Sequence, residues 1–151
     1  MQHEVEARNL RVLVVEDNRI AQMCATRMLE TYGFIAEGAD NGRVAIDKLT
    51  AAPASYALIL MDLRMPVMDG LECTGAIRRE LNLDTPIVAF TAECSREIKQ
   101  QCFDLGMNGF LSKPASHQGI VHEVGKLLNI KLKLKEAVKT PARLRAKAAG
   151  L

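Results

Sequence analysis

Short apolar segments alternate with longer amphipathic segments along the first 129 residues. Five apolar runs rich in β-branched residues predict β-strands, at residues 12–15, 34–37, 57–61, 87–90 and 109–111. Between and after them, apolar residues return at helical spacing in five stretches, as Ile20, Cys24 and Met28 do in the first. Five strands each followed by a helix predict an α/β fold, with a parallel sheet covered by helices on both faces.

Residues that start and end helices lie at the edges of these stretches. Asp69 begins a capping-box pattern, and Ser95 and Ser116 occupy the N-cap positions before the fourth and fifth predicted helices. Gly33 and Gly106 are placed for the turns that end helices. The boundaries predicted from hydrophobic spacing and those predicted from capping residues therefore agree.

Charge divides the chain unevenly. Residues 1–130 carry a formal net charge of −4, whereas residues 131–151 carry +6. We therefore expect an N-terminal extension at residues 1–9, one domain at 10–129 and a basic C-terminal tail or linker at 130–151.

The pattern of the tail is ambiguous. Residues 130–135 alternate apolar and basic positions, which is typical of a strand, yet Leu134 and Val138 continue the spacing of the fifth helix. A helical extension, an added strand and a flexible linker all stay open. Pro141 is expected to end any regular element that reaches it.

Composition narrows the class of protein. The chain is 48% hydrophobic and 25% charged, which is typical of a globular domain. The apolar run at residues 56–61 is too short to span a bilayer, and the N-terminus has no apolar signal region, so we expect a cytoplasmic protein whose segment here makes no membrane contact. The four cysteines lack C-x-x-C spacing and are expected to act as small apolar residues.

Three acidic residues follow two of the predicted strands. Glu16 and Asp17 come directly after the first strand and Asp62 directly after the third. In a flavodoxin-like, doubly wound sheet of strand order 2-1-3-4-5 these strands are neighbours, and their carboxyl ends share one edge. Three carboxylates at one point repel each other, and a divalent cation with oxygen ligands compensates that repulsion. Magnesium is the expected cofactor.

Asp62 has the placement of a nucleophile. It ends a wholly apolar run, so a buried strand fixes its backbone while its carboxylate faces the pocket, as aspartyl-phosphate chemistry requires. Thr91 follows the fourth strand and offers a hydroxyl donor for a phosphoryl oxygen. Lys113 follows the fifth strand and offers a positive charge for the same anion.

These residues lie within four longer motifs, at residues 14–18 (VVEDN), 61–70 (MDLRMPVMDG), 90–92 (FTA) and 111–114 (LSKP). Together they closely resemble the receiver domain of response regulators in two-component signalling, over about residues 10–129. The sequences of residues 65–72 and 85–92 are especially similar to those of receiver domains fused to hybrid sensor histidine kinases. The resemblance implies a phosphoprotein that carries an aspartyl phosphate.

The resemblance also implies a role for each site residue. Asp17 would bind Mg²⁺ directly and Glu16 mainly through water. Asp62 would be both ligand and phosphoacceptor, and the backbone carbonyl of Arg64 a further ligand. Lys113 would bridge the phosphoryl group and the acidic cluster, with a cis bond to Pro114.

A switch is implied as well. Thr91 would move toward the phosphoryl group and Phe110 would swing inward behind it, and the surface of the fourth helix, fifth strand and fifth helix would change with them. Around the pocket, Ala92 and Pro114 would flank the site beside Arg64 and Glu93. The opposite charges of Arg64 and Glu93 suggest an ion pair that partly covers the phosphoryl group and slows its hydrolysis, and two independent solvated side chains are the alternative.

The implied partner is a histidine kinase or a histidine phosphotransfer protein, with a homodimer through the switch surface as a further possibility. Two other functions are alternatives. One is the receiver part of a DNA-binding response regulator, but the basic tail is too short for an output domain and nucleic acid is not expected as a partner. The other is an enzyme, an Asp-nucleophile phosphatase of the D-x-D type, and Arg64 stands where its second Asp would be. A signalling phosphoacceptor that is not a turnover enzyme is therefore predicted.

Overall fold

The structure, a computed structural model, describes residues 4–5 and 9–134. Its centre is a five-stranded parallel sheet in the order β2-β1-β3-β4-β5, as predicted. The strands are β1 (Arg11–Val15), β2 (Ile35–Ala39), β3 (Leu58–Asp62), β4 (Ile87–Thr91) and β5 (Gly109–Ser112).

Five helical segments connect and follow these strands, in agreement with the prediction. They are α1 (Arg19–Glu30), α2 (Gly42–Ala51), α3 (Gly70–Arg79), α4 (Arg96–Asp104) and α5, which runs through His117–Gly119, a π-helical turn at Ile120–Val124 and Gly125–Leu128.

The two faces of the sheet bury two separate sets of side chains. In β1, Leu13 and Val15 pack toward α2 and α3, whereas Val12 and Val14 pack toward α1 and α5. The other central strands alternate in the same way because successive residues of a strand point to opposite faces. All five residues of β3 and of β4 are buried, so the strand ends that carry Asp62 and Thr91 are held by the core.

The helix boundaries follow the capping residues. Asp69, Ser95 and Ser116 each accept a hydrogen bond from the backbone N–H three residues later, as N-caps do. Gly33 and Gly106 have φ angles of 97° and 102°, a region that glycine enters without a steric penalty. These five predicted positions are confirmed.

The expectation that the cysteines act as small apolar residues holds for two of the four. Cys73 and Cys102 are buried in the core between the sheet and its helices, and burial raises the pKa of the Cys73 thiol to about 12. Cys24, in the middle of α1, and Cys94, in the loop between β4 and α4, are exposed instead.

The beginning of the tail is a strand. Lys131–Leu132 pairs in parallel with Glu4–Val5, forming a small second sheet. Leu132 is 5% exposed and packs with the apolar residues of the α1 and α5 face. The added-strand alternative is therefore the correct one for these two residues, whereas Val138 and Pro141 lie outside the described residues. Within the described part of the chain, no helix is long and apolar enough to cross a membrane.

Candidate functional site

The three acidic residues converge at the carboxyl ends of β1 and β3. Oxygen atoms of Glu16, Asp17 and Asp62 all lie within 4.8 Å of one another. Glu16 is fully buried and Asp62 is 3% exposed, whereas Asp17 is open to solvent. The predicted cluster is thus present, with two desolvated carboxylates and one accessible from outside.

Backbone donors hold both buried carboxylates in place. The N–H of Asn18 donates to Glu16 Oε1 at 3.1 Å, and the N–H of Arg64 donates to Asp62 Oδ1 at 3.3 Å. Each donor lies two residues after its acceptor, so the turn that follows each strand orients the carboxylate. The orientation of the two carboxylates therefore depends on the backbone conformation of these turns as well as on the strands.

Lys113 joins the cluster from the end of β5. Its Nζ lies 2.6 Å from Glu16 Oε2 and 3.3 Å from Asp62 Oδ1, and it also sits 5.2 Å from the ring centroid of Phe90. Burial alone would lower the pKa of Lys113, but its ion pairs with Glu16 and Asp62 outweigh burial and raise it. The ammonium is therefore charged and anchored between the two carboxylates. The bond from Lys113 to Pro114 is cis, as the motif implied.

One lysine does not neutralise three carboxylates. Burial, together with the neighbouring Glu16 charge, raises the pKa of Asp62 to about 6 even though Lys113 acts to lower it. The buried Glu16 Oε2 atom has Lys113 Nζ as its partner, so the same single ammonium serves both buried carboxylates. A buried, oxygen-lined site with excess negative charge fits a hard divalent cation.

The two residues of the implied switch lie on adjacent strands. Thr91 ends β4, is 3% exposed, and its Oγ1 accepts a hydrogen bond from the N–H of Glu93 at 3.1 Å. Phe110 in β5 is half-buried against the α2 and α3 side of the core, with Lys99 Nζ 5.3 Å from its ring centroid. The Thr91 hydroxyl is therefore bonded to the following loop, and Phe110 is only partly buried.

Arg64 and Glu93 form the ion pair that their charges suggested. Arg64 Nε donates to Glu93 Oε1 between the loop after β3 and the loop after β4. The Arg64 side chain is 76% exposed and Glu93 37% exposed, so the pair lies at the mouth of the site. Ala92, directly after β4, and Pro114, two residues after β5, are both exposed.

The loop between Asp62 and α3 has two backbone features. A Cβ atom on Gly70 would lie 2.2 Å from the carbonyl oxygen of Asp62, so only glycine allows this approach. Val67 has a φ of 74° and is 79% exposed, and the N–H of Met68 donates across it to Pro66 O at 2.8 Å. This is a γ-turn centred on a β-branched residue, which is a strained conformation. The glycine could be read from the motif, but nothing in the sequence indicated the strained valine.

Sequence reasoning also missed Gln22 and did not assign a role to Asn18. Asn18 caps α1 by accepting from the N–H of Ala21 at 2.9 Å, in addition to its bond to Glu16. Gln22 reaches back from α1 to the backbone of Glu16. An asparagine directly before a helical stretch was an available signal for the cap, whereas a helical glutamine carries no signal by itself.

The site contains the parts needed to handle a phosphoryl group at a carboxylate. Asp62 offers a nucleophilic oxygen, the acidic cluster offers ligands for a cation, and Lys113 and Thr91 offer donors for an anion. All of them stand at one edge of one sheet, where open α/β folds bind ligands.

Comparison with known proteins agrees with this picture. The family model for the response regulator receiver domain matches residues 12–125. Osmosensing histidine protein kinase SLN1 of Saccharomyces cerevisiae is 44% identical over 110 residues, covering 70% of this chain and 9% of the kinase. Hybrid signal transduction histidine kinase M of Dictyostelium discoideum is 36% identical over 121 residues, covering 78% of this chain and 5% of the kinase.

Solved structures give the same result. Chemotaxis protein CheY4 of Vibrio cholerae superposes with a TM-score of 0.70 at 31% identity, covering 80% of this chain and 98% of CheY4. The chain spans about a tenth or less of the length of the curated kinases it matches, so the similarity concerns their receiver segments. With the fold, the motifs and the matched region in agreement, the chain belongs to the response regulator receiver domain family.

Proposed function

We propose that this receiver domain accepts a phosphoryl group on Asp62 from a phosphohistidine, in a reaction that depends on Mg²⁺. Phosphorylation of an aspartate and dependence on magnesium are general to the family. The observation that carries the proposal for this chain is the position of Asp62. Its carboxylate is buried at the end of an apolar strand, in contact with Lys113 and beside two further carboxylates.

The transfer exchanges one bond for another. A carboxylate oxygen of Asp62 attacks the phosphorus, the P–N bond to the donor histidine breaks, and the imidazole leaves with its electron pair. Lys113 and the hydroxyl of Thr91 would contact phosphoryl oxygens, where they balance the negative charge. Because Asp62 is fixed by β3, little motion is required of the nucleophile.

Glu16, Asp17, Asp62 and the backbone carbonyl of Arg64 would hold the cation. The oxygen-only donor set and the excess negative charge both fit Mg²⁺. When bound, the ion supplies charge neutralisation between the nucleophile and the incoming phosphoryl group. Asp17 is the exposed member, so it is the ligand that solvent can reach first.

We infer that phosphorylation is read out on the surface formed by α4, β5 and α5. Thr91 would exchange its bond with the Glu93 N–H for one to the phosphoryl group, and Phe110 would follow by packing more deeply. Lys99, which lies over the Phe110 ring, would lose that contact. A partner or a second copy of the chain that binds this surface would therefore distinguish the two states.

We propose domain limits that agree with this function. Residues 10–129 would be the receiver domain and residues 130–151 a basic tail, of which the first residues pack onto the domain through Leu132. The partner would be a histidine kinase or a histidine phosphotransfer protein, in keeping with the kinases to which the chain is similar.

Stoichiometry tests this function against the phosphatase alternative. After incubation with acetyl phosphate and Mg²⁺, intact mass should show at most one added phosphoryl group per chain, and the group should be absent when the metal is chelated. Release of many equivalents of phosphate from an external substrate, without a labelled protein, would contradict a receiver.

A further inference from the structure

The side chain of Gln22 connects three segments around the acidic cluster. Its Nε2 lies 2.9 Å from Glu16 O, 3.4 Å from Ala39 O and 3.1 Å from Asp40 Oδ1. Gln22 belongs to α1, Glu16 directly follows β1, Ala39 ends β2, and Asp40 begins the loop after β2. One amide group therefore links a helix to two strand ends.

Gly38 provides the space for this amide. It lies in β2 opposite Val14, and a Cβ atom there would lie 2.2 Å from Gln22 Oε1 and 2.6 Å from Gln22 Cδ. Glycine inside a strand weakens the strand and often marks a close approach by another group. The glycine and the glutamine thus form one arrangement, built from two separate parts of the sequence.

The arrangement fixes both ends of Glu16. The N–H of Glu16 donates to Ala39 O at 3.0 Å, and its carbonyl accepts from Gln22 at 2.9 Å. Asp17 follows directly and is exposed, so the direction of its carboxylate depends on the backbone on which it stands. Any loosening of the Glu16 peptide would spread the carboxylates apart.

We propose that Gln22 is a positioning residue that preorganises the cation site by clamping the backbone of Glu16 and Asp17. The inference rests on the proposed Mg²⁺ site and assigns it a supporting residue that does not touch the ion. Groups that orient metal ligands typically contribute tenfold or more to metal affinity.

The main test replaces Gln22 with methionine, which keeps the length of the side chain and removes its donor. Arg43→Met is the matched control, because the Arg43 ion pair with Asp47 lies within its own helix. In an Mg²⁺ titration, Gln22→Met should bind about tenfold more weakly than wild type, and Arg43→Met should equal wild type. A lower melting temperature with unchanged Mg²⁺ affinity would mean a structural role only and would overturn the proposal.

A second variant approaches the same contact from the other side. Gly38→Ala should displace the amide and weaken Mg²⁺ binding to a similar extent, and the double variant should add little, since both changes break one clamp. Independent, multiplicative effects of the two changes would overturn the proposal.

Amide hydrogen exchange of residues 16–18 separates this inference from the proposed function. Gln22→Met should exchange faster there without any metal, and unchanged exchange would overturn the clamp. If wild type and Asp17→Asn bind Mg²⁺ equally, the proposed metal site fails, and faster exchange in Gln22→Met would still support the clamp on the backbone.

Discussion

At the scale of single residues, the mouth of the site is crossed by one ion pair, between Arg64 and Glu93. Hydrolysis of an aspartyl phosphate requires a water molecule to line up behind the phosphorus, and if Asp62 is the phosphoacceptor, we expect both side chains to flank that approach. Exposed ion pairs contribute little to the stability of a fold. The effect of this pair is therefore expected in the lifetime of the phosphoryl group.

A double-mutant cycle measures that effect. Arg64→Ala and Glu93→Ala should each speed dephosphorylation several-fold, and the double variant should gain little beyond either single change, because both remove the same barrier. The measurement is the decay of the phosphorylated species after the donor is removed. Rate effects that multiply independently, or no effect at all, would show that the pair does not act as a lid.

Most of the candidate site could be predicted because its residues are placed by strand ends. Glu16, Asp62, Thr91 and Lys113 each follow an apolar run, and parallel strands bring such positions to one edge. Gln22 could not be predicted in this way. Its contact depends on the angle of α1 to the sheet and on the space left by a distant glycine, neither of which is visible in hydrophobic spacing.

At the scale of elements, the edge strand β2 is tied to its neighbours by Glu37. Its carboxylate accepts from Tyr56, and it also pairs with Arg11 at 2.5 Å and Lys48 at 3.3 Å. The hydrogen bond from Tyr56 is the main cause that holds the pKa of Glu37 below its ordinary value, and the two cations add to it. These contacts join β1, β2 and α2 at the end of the sheet opposite the acidic cluster.

Removing the hydroxyl in Tyr56→Phe should lower the free energy of unfolding at neutral pH by about 1 kcal/mol. Because the folded pKa of Glu37 lies below its unfolded value, this contribution is complete above about pH 4.3 and is lost as pH falls through the folded pKa. Urea unfolding at several pH values should therefore show the difference between wild type and variant shrinking in acid. A difference that stays constant down to pH 3 would contradict this assignment.

Whether a segment is a helix or a strand could be predicted from the sequence more readily than its exact bounds or its hydrogen-bond pattern. The predicted strand at residues 34–37 is observed at Ile35–Ala39, because pairing with β1 continues through Gly38, a residue that disfavours strands by propensity. The π-helical turn in α5 was not predicted either. Its apolar residues keep nearly helical spacing, and a single widened turn changes the hydrogen bonds without changing that pattern.

At the scale of the whole molecule, the small sheet brings the two ends of the described chain together. Leu132 is 5% exposed, whereas Leu134, two residues later, is 37% exposed. Leu132→Ala should lower the free energy of unfolding by about 2 kcal/mol, and the matched Leu134→Ala should change it by less than about 0.5 kcal/mol. Equal effects in urea unfolding would mean that the start of the tail does not belong to the folded unit.

The overall architecture was predictable because one physical rule, burial of both faces of a parallel sheet, controls every central strand. The tail did not follow that rule. Residues 130–135 fit a strand and a helix equally well, and the choice depended on a partner near the other end of the chain, at Glu4–Val5. Pairings between distant short segments leave little trace in local sequence.

The central claim is that Asp62 is the phosphoacceptor, and intact-mass analysis of an Asp62→Ala variant tests it most directly. With acetyl phosphate and Mg²⁺, wild type and the matched control Asp47→Ala, an exposed aspartate on α2, should each gain one phosphoryl group. Asp62→Ala should gain none, because the change removes the proposed nucleophile, the carboxylate at the end of β3 that lies 3.3 Å from Lys113 Nζ. Undiminished labelling of Asp62→Ala would contradict the account.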